Sequence, residues 1–360
     1  MTPSRRRIFA LVTVLGLLAL AEGGARLWIG KTVGDAKSLT PDSGRLWRLA
    51  PLSSKEYSTD DDGFRAVSAP GPEGAPLLVT VGDSSIFGHG VADGSTIHES
   101  IGATLAARGA PARVRSLAVP GYSTMQTRVV MDELGWALQP KLLVIGNLWS
   151  DSTLDVVRDA DLYRQYATPT ARAELLLSRS GLFRLVKRAF NTSRGVPAER
   201  VISWPQPGDV GVRRVPLADY AANLEALLEG ARERGIGVVI LGLCTERMVW
   251  AGRSTLDPVF VYADTQYRVA MAHNVPYVDA VRVFSAAGGA SLFGDDLHPN
   301  NAGSARLGEA IALELLRDGW PARVPVPLPA PAIRVAVDRK DGTARTEKTS
   351  MAGALANGEL

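Results

Sequence analysis

From residue 77 onward the hydrophobic pattern switches repeatedly between two periods. Leu77-Leu78-Val79-Thr80-Val81 is a short apolar, β-branched run that stops at Gly82-Asp83-Ser84-Ser85, which predicts a buried strand ending in a polar turn. Similar runs predict strands at about 114–118, 141–147, 238–243 and 276–278. Between them, helical periodicity covers about 95–108, 125–137, 217–234, 258–273 and 302–317. The stripe Leu217, Ala221, Leu224, Leu228 and Ala231 is clearest, with Gly235 placed to end that helix. Strands alternating with helices across short loops predict an α/β fold, a three-layer α/β/α sandwich around a central parallel sheet.

The flanks carry other patterns. Arg5-Arg6-Arg7 followed by the apolar run 8–21 reads as a signal peptide or signal anchor over residues 1–30. Ala19-Leu20-Ala21 has the small-x-small form of a cleavage site, while 22–30 can lengthen the run into a membrane tether over 8–29. Arg6-Arg7-Ile8-Phe9 has the twin-arginine form of an export signal. Export to the periplasm or the extracytoplasmic face of the membrane follows, with the domain anchored or released. Residues 31–75, rich in Ser, Asp, Gly and Pro, read as a lead-in linker, with 61–66 (DDGFRA) packing on a sheet edge. The main domain is expected over 76–320, interrupted by a helical insertion at about 152–215. Within it Leu182, Leu185, Val186 and Ala189 share a face beside Arg184, Lys187 and Arg188. That helix reads as a cover for the protein's own core rather than a membrane contact, and the insertion as a lid. Residues 321–360 form a Pro-rich segment and a tail that is polar and aperiodic from 334, expected to be disordered.

Composition narrows the function. The 40 basic and 37 acidic side chains are interspersed, so no nucleic acid partner is indicated. A single cysteine, Cys244, excludes a disulfide within the chain and a cysteine metal cluster; at the end of an apolar run it reads as a buried small hydrophobe. Four histidines, His89, His98, His273 and His298, leave few bases to choose from. His98 and His273 fall on helices and read as structural, and His89 sits in the loop Gly88-His89-Gly90.

Ser84 lies where open α/β sheets place their ligands, at the carboxyl end of a central strand. A serine hydroxyl is a weak nucleophile until a base takes its proton. His298, in the loop 294–301, can be that base, and Asp295, three residues earlier, can reach its imidazole in a turn and set the tautomer. Asp296 is an alternative orienting carboxylate, Asp83 reads as a brace for the turn, and Trp149 as a pocket wall or core plug.

These blocks resemble the SGNH, or GDSL-like, hydrolase superfamily. Gly82-Asp83-Ser84-Ser85 is similar to the nucleophile block, with Ser85 where leucine is usual. Val119-Pro120-Gly121-Tyr122-Ser123-Thr124 resembles the second block, which implies that the Gly121 amide serves an oxyanion hole with that of Ser84. Asp295-Asp296-Leu297-His298-Pro299 resembles the final block. The third block, Gly-x-Asn-Asp in the family, departs. Counted from Pro140, its asparagine falls on Ser150 and its aspartate on Asp151, whereas Gly146-Asn147 lies three residues early. The count favours Ser150 as third oxyanion donor, with Asn147 as the competing assignment. The resemblance implies a serine esterase with the triad Ser84–His298–Asp295, acting on an acylated small molecule, lipid or glycan, with no metal and no cofactor. An O-acyltransferase decorating an envelope polysaccharide is the alternative, and a non-catalytic scaffold on the same fold a third reading.

Overall fold

The structure, a computed structural model, describes residues 3–32, 39–53, 57–155, 157–178, 180–193, 211–251, 258–329, 336–337 and 344–345. The chain divides into two compact units, one of residues 1–50 with 161–202 and one of residues 51–160 with 203–360.

The larger unit is built in this order: β1 (Leu77–Gly82), α1 (Ser84–Phe87), α2 (Ile97–Ala107), β2 (Arg113–Ser116), α3 (Thr124–Val130), β3 (Leu142–Gly146), α4 (Trp149–Ser152), α5 (Leu217–Glu233), β4 (Gly237–Gly242), α6 (Glu246–Ala251), α7 (Pro258–Ala272), β5 (Tyr277–Asp279), α8 (Ala280–Ala287) and α9 (Asn301–Asp318). The five strands form one sheet in the order β5-β4-β3-β1-β2, and every pairing is parallel. Parallel strands need crossovers, and the helices provide them: α2 packs against α9, and α5 against α3 and α7. Covered by helices, β3 and β4 are buried at every position, which is why they read as unbroken apolar runs. The stripe expected on α5 is the buried one: Leu217, Ala221, Leu224, Leu228 and Ala231 are all within 3% of full burial.

Local differences from the sequence pattern have local causes. The helix expected over 125–137 keeps α-geometry only to Val130, continues as a π turn over Met131–Gly135 and a 3-10 turn over Trp136–Leu138, and stops at Gln139, whose φ of +50° precedes Pro140. The helix start that the small polar residues after Gly82 favour is α1, a single turn, whereas α4, α6 and α8 were not expected from the sequence pattern.

The strand order reverses between β1 and β3, the switch point at which open sheets of this order bind ligands. There the backbones close up. A Cβ on Gly82, whose φ is +154°, would press into the Gly146 carbonyl and lie 2.7 Å from Ile86 Cγ1. Only glycine lets β1 turn away beside β3 at this point.

The insertion leaves and re-enters the larger unit through a clasp. Leu154–Asp155 pairs antiparallel with Val212–Arg213, and next to it Arg214 and Asp159 form an ion pair whose side chains are 1% and 0% exposed.

The smaller unit holds a helix over Pro3–Thr32, the antiparallel pair Leu39–Asp42 and Leu46–Leu49, and helices Pro169–Leu177 and Gly181–Ser193. The first helix contains a 26-residue stretch, Pro3–Trp28, long and apolar enough to cross a membrane. The Glu22 carboxylate accepts from Ser180 Oγ and from the Gly181 and Leu182 amides, at 2.7–3.0 Å, which caps the helix Gly181–Ser193. That helix leaves Val186 and Phe190 exposed. The tail beyond 334 lies outside the described residues apart from 336–337 and 344–345, as does most of the basic stretch 195–216.

Candidate active site

Ser84 is the first residue of α1, directly after β1. The turn that presents it is held by Asp83, which is fully buried. One oxygen of Asp83 accepts from the Ser85 amide, at 3.1 Å; the other accepts from the amides of Leu148 and Trp149, at 3.2 and 3.0 Å. A single carboxylate thus ties the end of β1 to the start of α4. Burial pushes its carboxyl up to about 6, against the pull of these amides and that of Ser150. Asp83 is a brace, as its sequence position suggested. Trp149 Nε1 donates to Ser85 Oγ at 3.1 Å, so the serine standing where leucine is usual anchors that indole.

His298 and Asp295 sit in the loop before α9. The loop is a compact hairpin: Gly294 donates to the His298 carbonyl at 2.8 Å, Asn300 donates to the Leu292 carbonyl at 2.9 Å, and the Asn300 side chain caps α9 through Gly303 N. Asp295 uses its two oxygens differently. Oδ1 accepts from the amides of Leu297 and His298, at 2.9 and 2.7 Å, and Oδ2 lies 2.7 Å from His298 Nδ1. The same carboxylate therefore shapes the turn and faces the imidazole. The other nitrogen, Nε2, is 2.7 Å from Ser84 Oγ across 214 residues of sequence. Burial lowers the His298 pKa below its ordinary value, opposed by Asp295 and reinforced slightly by His89. Burial alone would raise the Asp295 carboxyl, but the bonds from His298 and the two amides outweigh it and hold it below its ordinary value.

The second and third blocks meet at the same strand ends. Gly121 has a φ of +81°, a conformation that suits glycine, and its carbonyl accepts from Arg214 Nη1 at 2.8 Å. Asp151, fully buried, accepts from the Thr124 amide and hydroxyl, which joins the third block to the second. Burial pushes its carboxyl up to about 7 despite those bonds. Asn147 is fully buried and both its side-chain groups are engaged: Oδ1 accepts from Thr127 Oγ1 at 3.1 Å, and Nδ2 donates to the Tyr122 carbonyl at 3.2 Å. Ser150, in α4, is 7% exposed.

The remaining histidines separate by position. His98 is buried, 3.0 Å from Thr96 Oγ1, and burial lowers its pKa to about 4. His273 Nδ1 lies 2.8 Å from the Leu328 carbonyl. His98 stands in α2, as expected, whereas His273 lies in the turn just after α7 rather than on a helix. His89 is exposed, its ring centroid 4.6 Å from that of His298. Cys244 is buried.

Two arginines that shape this region were not singled out from the sequence. Arg65, in the 61–66 segment, is fully buried and donates to the carbonyls of Gly88 and Val91, at 3.0 and 2.6 Å, and to Asp93. It fixes the loop that carries His89. Arg214 holds Asp159, Gly121 and Gln126 together. The only sequence hint for either is an arginine next to apolar residues, Phe64 and Val215, which is common on surfaces as well.

A doubly wound parallel sheet with a serine at the switch point and an Asp-x-x-His loop beside it defines an esterase-type hydrolase fold. The comparisons agree: residues 209–306 match the model of the GDSL-like lipase/acylhydrolase family, so the resemblance to SGNH hydrolases holds. That segment includes Asp295 and His298; Ser84 lies outside it. No curated protein matches the chain. Among solved structures, a lipase/acylhydrolase from Enterococcus faecalis is 18% identical, with 67% of this chain and 95% of that chain covered and a TM-score of 0.44. An acetylxylan esterase from Geobacillus stearothermophilus is 17% identical, with 67% and 94% covered and a TM-score of 0.44.

Proposed function

We propose that the protein is a serine esterase that cleaves O-acyl esters by acyl transfer through Ser84, with His298 as base and Asp295 as its orienting partner. The observation that carries this reading is the continuous chain of contacts from Asp295 Oδ2 through His298 to Ser84 Oγ, each 2.7 Å. His298 Nε2 takes the hydroxyl proton as Oγ attacks the ester carbonyl, then returns it to the leaving alkoxide. Asp295 keeps the other proton on Nδ1 and stabilises the imidazolium. Water then attacks the acyl-serine by the same route and releases the acid.

The developing oxyanion is held by the amides of Ser84 and Gly121 and by the hydroxyl of Ser150. Asn147 is the weaker assignment because its amide and carbonyl already serve Tyr122 and Thr127. The N-terminal apolar helix supports placement at the extracytoplasmic face of a membrane, as a signal or an anchor. The substrates are acylated small molecules, lipids or glycans.

The test is turnover of a chromogenic short-chain ester together with labelling by a fluorophosphonate. Ser84→Ala is expected to abolish both. Turnover retained by that variant overturns the scheme. Product masses with water alone and with added sugar then separate hydrolysis from transfer.

A further inference from the structure

His89, Asp295 and His298 each offer one donor atom, and these three atoms all lie within 4.8 Å of one another. They come from two loops far apart in sequence. His89 stands in the turn after α1, held from beneath by Arg65, whereas Asp295 and His298 share the hairpin before α9. His89 and Asp295 are exposed and His298 half-buried, so the three donors open to solvent. Two imidazole nitrogens and one carboxylate oxygen are the ligand set of a catalytic-type zinc site, which leaves a fourth position for water. Imidazole also selects against magnesium and calcium, which favour all-oxygen sites.

We propose that these three residues bind Zn2+ and that the bound ion switches off Ser84. The proposal rests on the esterase reading above and adds a regulatory ligand to it. Tetrahedral ligands about 2.0–2.1 Å from zinc stand roughly 3.3 Å apart. The donors must therefore close by about 1.5 Å at most, a movement that rotation of the exposed His89 side chain supplies while Asp295 keeps its bonds to the Leu297 and His298 amides. Binding is ligand exchange: the hydrated ion gives up three waters, and the neutral His298 ring keeps its one proton on the nitrogen that does not bind. Either nitrogen of His298 yields the same outcome. If Nδ1 binds, its proton moves to Nε2, which then has no lone pair to accept the proton of Ser84. If Nε2 binds, the lone pair that accepts the Ser84 proton is occupied. His89 takes no part in the acyl transfer itself, so it is the one ligand that can be changed without removing the base.

The test uses ZnCl2 in a chelator-buffered titration of the full-length protein. Calorimetry reads binding directly; ester turnover and fluorophosphonate labelling of Ser84 read its effect. Wild type is expected to bind one Zn2+ and to lose turnover and labelling in step with that binding, with both restored by EDTA. His89→Gln is expected to keep most of the basal turnover while its Zn2+ affinity and the zinc concentration for half-inhibition each worsen at least tenfold. Ser84→Ala, silent in the activity arms, is expected to bind Zn2+ as wild type does. Equal inhibition of wild type and His89→Gln overturns the proposal, as does a wild type that binds no Zn2+ at millimolar concentration. A protein that binds Zn2+ through His89 but never turns over an ester sinks the esterase reading and leaves the metal site standing; labelled Ser84 without zinc binding does the reverse.

Discussion

Replacing Arg214 separates what holds the fold from what holds the site. Its guanidinium donates two hydrogen bonds to the Asp159 carboxylate at 3.0 and 2.9 Å, and others to the Gly121 carbonyl at 2.8 Å and to Gln126 Oε1 at 3.0 Å. Both members of the ion pair are shut off from water, at 1% and 0% exposure. Arg214→Ala therefore leaves a buried carboxylate without its counter-charge, which costs about 3–5 kcal/mol. That is a large share of the roughly 5–15 kcal/mol that holds a typical domain. Replacing both partners with apolar residues of similar size, Arg214→Met with Asp159→Leu, removes the stranded charge and is expected to recover most of that loss. The double variant still lacks the bond to Gly121. If the Gly121 amide helps hold the oxyanion, a loosened peptide forfeits part of a donor whose full removal costs on the order of 100-fold or more in rate. Urea unfolding and ester turnover measured on the same preparations give the two readings. The expected pattern is a single variant low in both stability and rate, and a double variant near wild type in stability but about tenfold or more slower. A single variant that costs less than about 1 kcal/mol refutes the buried-pair argument. A double variant with full stability and full rate refutes the link from Arg214 to the oxyanion hole.

Four further outcomes follow from the same geometry. Ser150→Ala is expected to slow turnover by on the order of 100-fold with little change in stability, whereas Asn147→Ala is expected to unfold at lower urea because it strands the Thr127 hydroxyl and the Tyr122 carbonyl; the opposite pattern assigns the third donor to Asn147. Gly82→Ala forces a side chain against the Gly146 carbonyl at a φ of +154°, strain of about 1–3 kcal/mol before the clash is counted, so calorimetry should show melting lowered by about 2–4 °C for each kcal/mol. His298 must be neutral to act as base, and burial holds its pKa below 6.5, so kcat/KM is expected to stay level as pH falls to that value and to decline only below it; a decline that begins above pH 7 contradicts this environment. Full-length protein is expected in the membrane fraction and a protein lacking residues 1–30 in the soluble one, read by fractionation and blotting, and a wholly soluble full-length protein removes the anchor reading.

The strands and long helices were legible because burial writes itself into composition. β3 and β4 are covered on both faces, so nearly every position is apolar, and α5 is covered on one face, so its apolar residues fall every three to four positions. Ser84, Gly121, Asp295 and His298 were legible as short blocks because each needs its neighbours at a set spacing: Asp295 reaches His298 only through a turn of three residues. Elements of one turn carried no such signal, since α1 and α4 are shorter than the repeat that would betray them. The choice between Ser150 and Asn147 was also out of reach. It turns on which way two side chains point, and Asn147 points to Tyr122 and Thr127, partners 25 and 20 residues away.

By itself, then, the order of residues determined most of the strands and long helices, that the sheet is parallel, and which few side chains were candidates for chemistry, because those follow from local periodicity and spacing. Tertiary structure alone decided the rest. The 2.7 Å approach of Ser84 to His298, the two arginines buried under the loops, and the nearness of His89 to Asp295 exist only once the sheet order brings distant loops to one strand end. A contact across 200 residues depends on how whole elements pack, and no local pattern records that.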